Sequence, residues 1–265
     1  MHIAIDDTYG PNIIGKSKYV TGSRRSHVAV FFPDNEVDEI RTQLRSMLEY
    51  VESELSIQAE EFHFTDIYNR RGVWANCKQG ENIAVFQTFA QIYSQYKWKI
   101  EIQTIDDRTF SDHGIKGFDE EIDGLDLSKR PDLSLAFLLL VKVKPVLRTI
   151  KGQSMIIVDE GIGTAGTEFG DQLFHDLGER VKCRFSTGVD EPLLQIADFF
   201  AYSINRSTHL AFKENRTDFD NSFLDLIGSM EINCPDINTV SAVHDFTADS
   251  ADQVHAESRK KKGLE

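Results

Sequence analysis

The segments HIAIDD (residues 2–7) and SMIIVDE (residues 154–160) decide the fold, because each predicts a short buried strand that ends in two acids. Ligand sites of α/β sheets gather where strands end, so these acids would meet if the two strands are parallel neighbours. Acids at strand ends are also common turn formers, and for either segment alone that interpretation is preferred. The terminal acids are Asp6 and Asp7 in the first segment and Asp159 and Glu160 in the second.

The rest of the chain alternates between strand patterns and helix patterns. Further strands are predicted at residues 26–32, 97–105 and 181–187, and residues 60–68 are predicted to be strand or loop. Helices are predicted over residues 80–95, 166–179 and about 218–228. Three more helices are predicted to begin after Asp34 as N-cap, at Pro131 with a kink at Pro145, and at Pro192. Residues 106–130 are predicted to be a long loop. This alternation predicts the α/β class with a mixed sheet flanked by helices. Residues 1–230 are expected to form one domain, and residues 231–265 a C-terminal extension with a basic, disordered tail.

The composition is that of an ordinary soluble protein. Of the 265 residues, 40% are hydrophobic, and no apolar run approaches the ~20 residues that a membrane helix needs. The N-terminus lacks the basic segment and the small-residue cleavage site of a signal peptide. Cys77, Cys183 and Cys234 are odd in number and far apart, which predicts reduced thiols without a disulfide framework. We therefore expect a cytoplasmic protein without a membrane partner.

The net charge of −14 bears on nucleic-acid binding. Proteins that coat nucleic acid through bulk electrostatics are usually basic, so the charge argues against that class. It does not exclude a nuclease in which bound cations neutralise the carboxylates and a local basic groove holds the phosphates. Scattered solvated charges are the preferred interpretation of any single basic pair. The groove candidates are Arg24, Arg25, Arg70, Arg71, Lys142, Lys144 and Arg148.

A further acid lies inside the apolar segment LLQIADFFAY (residues 193–202) of a predicted helix. Placing the carboxylate of Asp198 among apolar side chains is costly unless something pairs with it. A metal ion would do so. The alternatives are a partly solvated helix face or an arginine partner, and the metal interpretation is preferred.

The segment EEFHFTD (residues 60–66) combines carboxylates with an imidazole. If it is extended, Glu61, His63 and Thr65 share one face. A carboxylate and an imidazole side by side can supply a metal ligand and a proton shuttle, although a lone histidine is usually structural. Carboxylates gathered in one place repel each other unless a cation lies between them. Oxygen ligands favour magnesium or manganese over zinc.

Four motifs, in chain order IDDTYG, EFHFTDI, IIVDEG and PLLQIADFFAY, resemble an uncharacterised prokaryotic family, the domain of unknown function 3800. The family's marks are I-D-E-S-G, E-x-H, a strand that ends in Asp, and L-Q-x-A-D on a late helix, which is the most specific of them. The resemblance covers residues 2 to 210. It implies a ribonuclease H-like fold of the retroviral integrase-type superfamily, in a protein of mobile elements or phage defence. The implied carboxylate set is Asp6, Glu61, Asp159 and Asp198.

This sequence departs from the family pattern at several positions. Asp7 replaces the usual Glu and Thr8 the usual Ser, which keeps a carboxylate and a hydroxyl. The doubled acids leave open whether Glu60 or Glu61 is the ligand. They also leave open whether Asp159 or Glu160 is.

The resemblance implies hydrolysis of phosphodiester bonds in DNA or RNA with two Mg²⁺ or Mn²⁺ ions about 3.5–4 Å apart. Asp6 would bridge both ions, and Glu61, Asp159 and Asp198 would complete their coordination. His63 would shuttle protons or orient a ligand. Asp7, Glu60 and Glu160 would lie just outside the ligand set.

Three other classes compete with a nuclease. A phosphoacceptor receiver domain is half this length and carries a signature lysine near a later strand end, which this sequence lacks. A haloacid-dehalogenase phosphatase needs Asp-x-Asp after its first strand, a spacing that Asp6, Asp7 and Thr8 do not provide. The serious alternative is a non-catalytic, ribonuclease H-like module that binds a partner protein of a defence system.

Overall fold

The computed structural model describes residues 1–10, 17–20, 22–78, 80–114, 117–237 and 247–264. The strands are β1 (His2–Tyr9), β2 (Arg25–Phe32), β3 (Lys99–Ile105), β4 (Glu121–Ile122), β5 (Leu125–Asp126), β6 (Ser154–Asp159), β7 (Glu168–Phe169) and β8 (Val181–Ser186). The helices are α1 (Asp34–Leu55), α2 (Phe64–Asn69), α3 (Glu81–Tyr96), α4 (Asp107–Asp112), α5 (Arg130–Phe137), α6 (Lys144–Thr149), α7 (Leu193–Ala211), α8 (Asp218–Ser229) and α9 (Ala248–Lys261). A π-helical stretch, Leu138–Val143, joins α5 to α6.

The main sheet is mixed and has six strands in the order β3-β2-β1-β6-β8-β7. The first three strands in that order are antiparallel neighbours. β1, β6 and β8 run parallel, and β7 closes the edge antiparallel to β8. The mixed α/β class is thus confirmed, and so is the prediction that the two acid-ended strands are parallel neighbours.

Alternating side chains of the strands build two cores on opposite faces of the sheet. Ala4, Val28 and Val30 face a layer that contains α1, α3, α7 and α8. Ile3, Ile5 and their neighbours face a second layer formed by α5, the π-helical stretch and α6. The apolar runs of β1 and β6 follow from this arrangement, because a strand covered on both faces has no solvated side.

Helix α7 is the element that crosses the site, and it packs directly on β1 and β2. Just before its first residue, the buried carboxylate of Glu191 accepts two hydrogen bonds from Arg41 of α1, at 2.6 and 2.9 Å. Arg184 of β8 contacts the same carboxylate at 3.4 Å. These contacts fix the N-terminal end of α7 against both a neighbouring helix and the sheet.

The prediction of a helix over residues 166–179 is wrong. That segment holds β7 and a series of turns instead. Leu173, Phe174 and Leu177 have helical spacing, but Gly166 (φ 86°) and Gly170 (φ 99°) adopt positive φ values that a helix does not accept. The chain therefore turns at these glycines, and the three apolar side chains still reach the core.

Several boundaries also differ from the sequence predictions. Asp34 is the first residue of α1 and not its N-cap, because its carboxylate accepts from the N-terminal amine at 2.6 Å and contacts His2. The segment 60–68 is a loop that enters α2, and the predicted loop at 106–130 contains α4 and the β4–β5 hairpin. Pro131 and Pro192 mark helix starts as predicted.

The C-terminal segment contains helix α9, whereas the sequence predicts a disordered tail. Ala251 is buried beside Ala211 of α7, and Asp252 accepts hydrogen bonds from Ser17 Oγ at 2.6 Å and from the Lys18 amide at 2.8 Å. The basic residues of the tail lie in the last turn of α9, where the helix dipole favours positive charge. The division at residue 230 stays a prediction.

Two further sequence predictions can be compared with the described residues. Cys77, Cys183 and Cys234 are all buried free thiols. Within the ranges that the structure describes, no helix is long and apolar enough to cross a membrane.

Candidate metal centre

A cleft of about 270 Å³ opens where β1 and β6 end beneath α7. Its lining contains all five residues to which the sequence analysis gives a catalytic role: Asp6, Glu61, His63, Asp159 and Asp198. Asp7 and Glu160 also line it. Sequence positions as far apart as 6 and 198 therefore share one small concave site.

Asp6 and Asp7 diverge because successive side chains of a strand point to opposite faces. Asp6 is 9% exposed and lies on the face covered by α7. Burial, and then the charges of Asp198 and Asp159, raise its pKa well above the usual value. Burial and Asp159 raise the pKa of Asp7 to about 6, while the guanidinium of Arg25 opposes that shift. Both groups thus resist ionisation in the metal-free protein.

Asp198 projects from α7 toward the segment that precedes α2. Its Oδ2 accepts a hydrogen bond from the Phe64 amide at 2.8 Å. Burial raises its pKa to about 7, Asp159 and Glu61 add to the shift, and His63 opposes it. The positive charge with the largest effect on Asp198 is that of this histidine, not that of an arginine as in the alternative interpretation.

Glu61 lies in the cleft, whereas Glu60 is exposed and does not line it. The Glu61 carboxylate rests against the Cα of Gly188, so a Cβ at that glycine would collide with Oε2. Burial raises the pKa of Glu61, His63 opposes the shift, and Asp159 adds to it. Of the doubled acids, Glu61 is therefore the one placed to act as a ligand.

His63 precedes α2 at the mouth of the cleft and is about half exposed. Its Nδ1 lies 3.0 Å from Oδ2 of Asp66. Burial lowers the pKa of His63, but the charges of Asp198, Asp66 and Glu61 outweigh burial and raise it above the usual value. An imidazole that is tuned by carboxylates and accessible to water can hold or release a proton.

Asp159 ends β6, one position beyond the paired residues Ile5 and Val158. Burial and the charge of Glu160 raise its pKa, and the backbone amides of Glu160 and Gly161 partly offset this by hydrogen bonding. Glu160 is exposed at the cleft mouth. The charge of Asp159 raises the pKa values of Asp6, Glu61 and Asp198, so Asp159 is the stronger ligand candidate of this pair.

Gln195, which is not among the site residues predicted from the sequence, is 2% exposed and lies in the cleft lining. Its Nε2 donates to the Gly188 carbonyl at 2.8 Å, and its Oε1 accepts from the Phe62 amide at 3.2 Å. The signal that singles out Asp198, a polar residue inside an apolar helix, applies equally to this glutamine. Thr187, Gly188, Leu194 and Tyr202 are further lining residues without a sequence signal.

The basic groove candidates do not gather at the cleft, whose described lining includes no lysine or arginine. Lys144 and Arg148 both pair with Asp176, and Lys142 pairs with Asp236. Arg24 donates to Asn205 at 2.8 Å. Arg25 stacks on Tyr9, with 4.3 Å between the guanidinium carbon and the ring centroid. These contacts support the interpretation of scattered charges for most of the candidates.

The chemistry of the cleft fits a hard cation, because its donors are carboxylate oxygens whose charges disfavour one another. Within the described ranges, however, no group of three or more His, Cys, Asp or Glu side chains is drawn together closely enough to hold an ion as it stands. Comparison with models of known protein families gives no match, and neither does comparison with curated proteins. The resemblance to the domain of unknown function 3800 thus stays a prediction that rests on the motifs.

The buried carboxyl groups make the stability of the metal-free protein depend on pH. The pKa values of Asp7, about 6, and Asp198, about 7, exceed the ~4 of an unfolded chain. The folded state holds these protons more tightly, so the free energy of unfolding should fall as pH rises from about 4 to about 7. Urea unfolding in EDTA at pH 5 and pH 8 measures this fall. Asp198→Asn should reduce it, and an equal fall in both proteins would contradict the assignment.

Proposed function

We propose that this chain is a divalent-metal-dependent nuclease that hydrolyses phosphodiester bonds of DNA or RNA with two Mg²⁺ or Mn²⁺ ions. The observation that carries the proposal is the shared cleft of Asp6, Glu61, Asp159 and Asp198. Burial raises the pKa values of all four, and the charge of at least one neighbouring carboxylate adds to each shift. A bound cation would offset both effects. A structural role would instead pair them with lysine or arginine.

We propose further that the domain is ribonuclease H-like. The support is the sheet, in which an antiparallel run of β3, β2 and β1 continues through parallel β6 and β8. The motifs that resemble the domain of unknown function 3800 lie on the elements that this assignment needs. The first and third end β1 and β6, and the fourth begins α7.

The four carboxylates would hold the ions, and bound Mg²⁺ or Mn²⁺ would supply an activated water and stabilise the leaving oxygen. The central position proposed for Asp6 is supported by its burial beneath α7 and by the charges of Asp198 and Asp159 that act on it. His63, held by Asp66 at 3.0 Å, would take up or release a proton at the cleft mouth. Asp7 and Glu160, which also line the cleft, would add negative charge beside the four ligands.

A cleavage assay tests the proposal directly. EDTA-treated protein is incubated with end-labelled single- and double-stranded DNA and RNA, with and without millimolar Mn²⁺ or Mg²⁺. We expect cleavage of at least one substrate with metal and none in EDTA. Asp6→Asn, purified in the same way, controls for contaminating nucleases. Metal-dependent cleavage that is equal in both preparations, or no cleavage of any substrate, contradicts the proposal.

The net charge of −14 favours one alternative, a non-catalytic ribonuclease H-like module that binds a protein of a defence system. Such a module needs no bound metal. Absence of Mn²⁺ binding together with absence of cleavage would favour it over the nuclease.

A further inference from the structure

We infer that Gln195 is the positioning residue that holds Glu61 in the carboxylate cluster, an inference that rests on the proposed metal site. Gln195 lies in the first turn of α7, one helical turn before Asp198. Its amide joins two segments that are distant in sequence, because Nε2 binds the Gly188 carbonyl and Oε1 binds the Phe62 amide. Glu61 lies at the junction of these two segments.

The close approach at Gly188 shows why this bridge matters. The Glu61 carboxylate occupies the space that a Cβ on Gly188 would fill, and Cγ of Gln195 lies 3.5 Å from the same point. The loop after β8 and the segment before α2 therefore touch through a glycine and a carboxylate. Separating the two segments would let the Glu61 carboxylate move away from Asp159 and Asp198.

Helix α7 holds the segment at two points. Gln195 accepts a hydrogen bond from the Phe62 amide, and Asp198 accepts one from the Phe64 amide. Gln195 and Asp198 are three residues apart and therefore lie on one face of the helix. The rings of Phe62 and Phe64 are buried against Phe89 of α3, and the Phe64 ring also packs on Phe199 of α7. Glu61 and His63, which flank Phe62, line the cleft. A glutamine fits the position because one side chain both donates and accepts.

Gln195→Met tests the inference, since methionine keeps the length of the side chain and removes both hydrogen bonds. Gln87→Met, on the exposed face of α3, is the matched control. Mn²⁺ affinity is measured by calorimetry at a temperature at which circular dichroism shows all three proteins folded. The hydrogen-exchange rate of the Phe62 amide shows whether its hydrogen bond to Gln195 is present.

We expect Gln195→Met to weaken Mn²⁺ binding by about 10–100-fold, the usual effect of losing a group that orients a metal ligand. The Phe62 amide should exchange faster, and Gln87→Met should match the wild type. If the wild type binds Mn²⁺ and Gln195→Met binds it within twofold, the role of Gln195 is overturned while the metal site stands. If the wild type itself binds no Mn²⁺, the metal site fails and this inference fails with it.

Discussion

Replacing Asp6 with asparagine should lower metal-dependent cleavage by about 10²–10³-fold or more, because it removes a negative charge from the centre of the proposed ion site. The same change should leave the metal-free protein at least as stable as the wild type. Burial and the charges of Asp198 and Asp159 oppose ionisation of Asp6. The Asp7 amide donates a hydrogen bond to Oδ1 of Asp6 at 2.8 Å. The side-chain oxygen of an asparagine can still accept that bond.

Single-turnover cleavage rates and urea unfolding in EDTA measure these two effects. Asp119→Asn is the control, since Asp119 is exposed and lies outside the cleft. An Asp6→Asn protein that cleaves at the wild-type rate would contradict the proposed role of this carboxylate.

Asp198→Asn should separate a ligand from a structural ion pair by the sign of a stability change. A carboxylate paired with a buried arginine would cost about 3–5 kcal/mol when neutralised, because a cation is left unpaired. The structure instead surrounds Asp198 with carboxylates and His63. We therefore expect Asp198→Asn to raise the free energy of unfolding at pH 8 without metal, while cleavage falls by orders of magnitude.

Asp198→Ala is the informative companion variant. Alanine removes the acceptor of the Phe64 amide, and an unsatisfied buried amide costs roughly 1–3 kcal/mol. Urea unfolding should thus order the metal-free proteins with Asp198→Asn more stable than Asp198→Ala. A destabilised Asp198→Asn that still cleaves nucleic acid would show that this residue serves the fold and not the reaction.

The sheet and the acids could be predicted because their signals are local. Residues 3–5 (IAI) and 155–158 (MIIV) are short apolar runs that acids follow directly, which is the pattern of a buried parallel strand. Pro131 and Pro192 mark helix starts by the fixed geometry of proline. Placing Asp6 near Asp159 then needed only the assumption that the two strands are parallel neighbours.

The errors arise where short elements or glycines decide the structure. Helix α2 has six residues and β7 has two, too few for a hydrophobic period to be recognised. The spacing of Leu173 and Leu177 predicts a helix, and only the positive φ values at the nearby glycines exclude it. A glycine permits a positive φ, but its presence in a sequence does not show that the folded backbone adopts one.

The failure to predict Gln195 as a site residue has a different cause. Gln195 acts through backbone groups of Phe62 and Gly188, and backbone groups leave no mark in a sequence. Its partners are known only once α7 has been placed on the sheet. The carboxylates could be predicted from their side chains. For Gln195 the sequence shows a polar residue inside an apolar helix, but it does not show which two segments that residue joins.

The most direct test of the central claim is anomalous diffraction from a crystal soaked in millimolar Mn²⁺. We expect two manganese peaks in the cleft, with Asp6 contacting both ions and Glu61, Asp159 and Asp198 completing the coordination. Soaked crystals with no manganese peak among these carboxylates would contradict it.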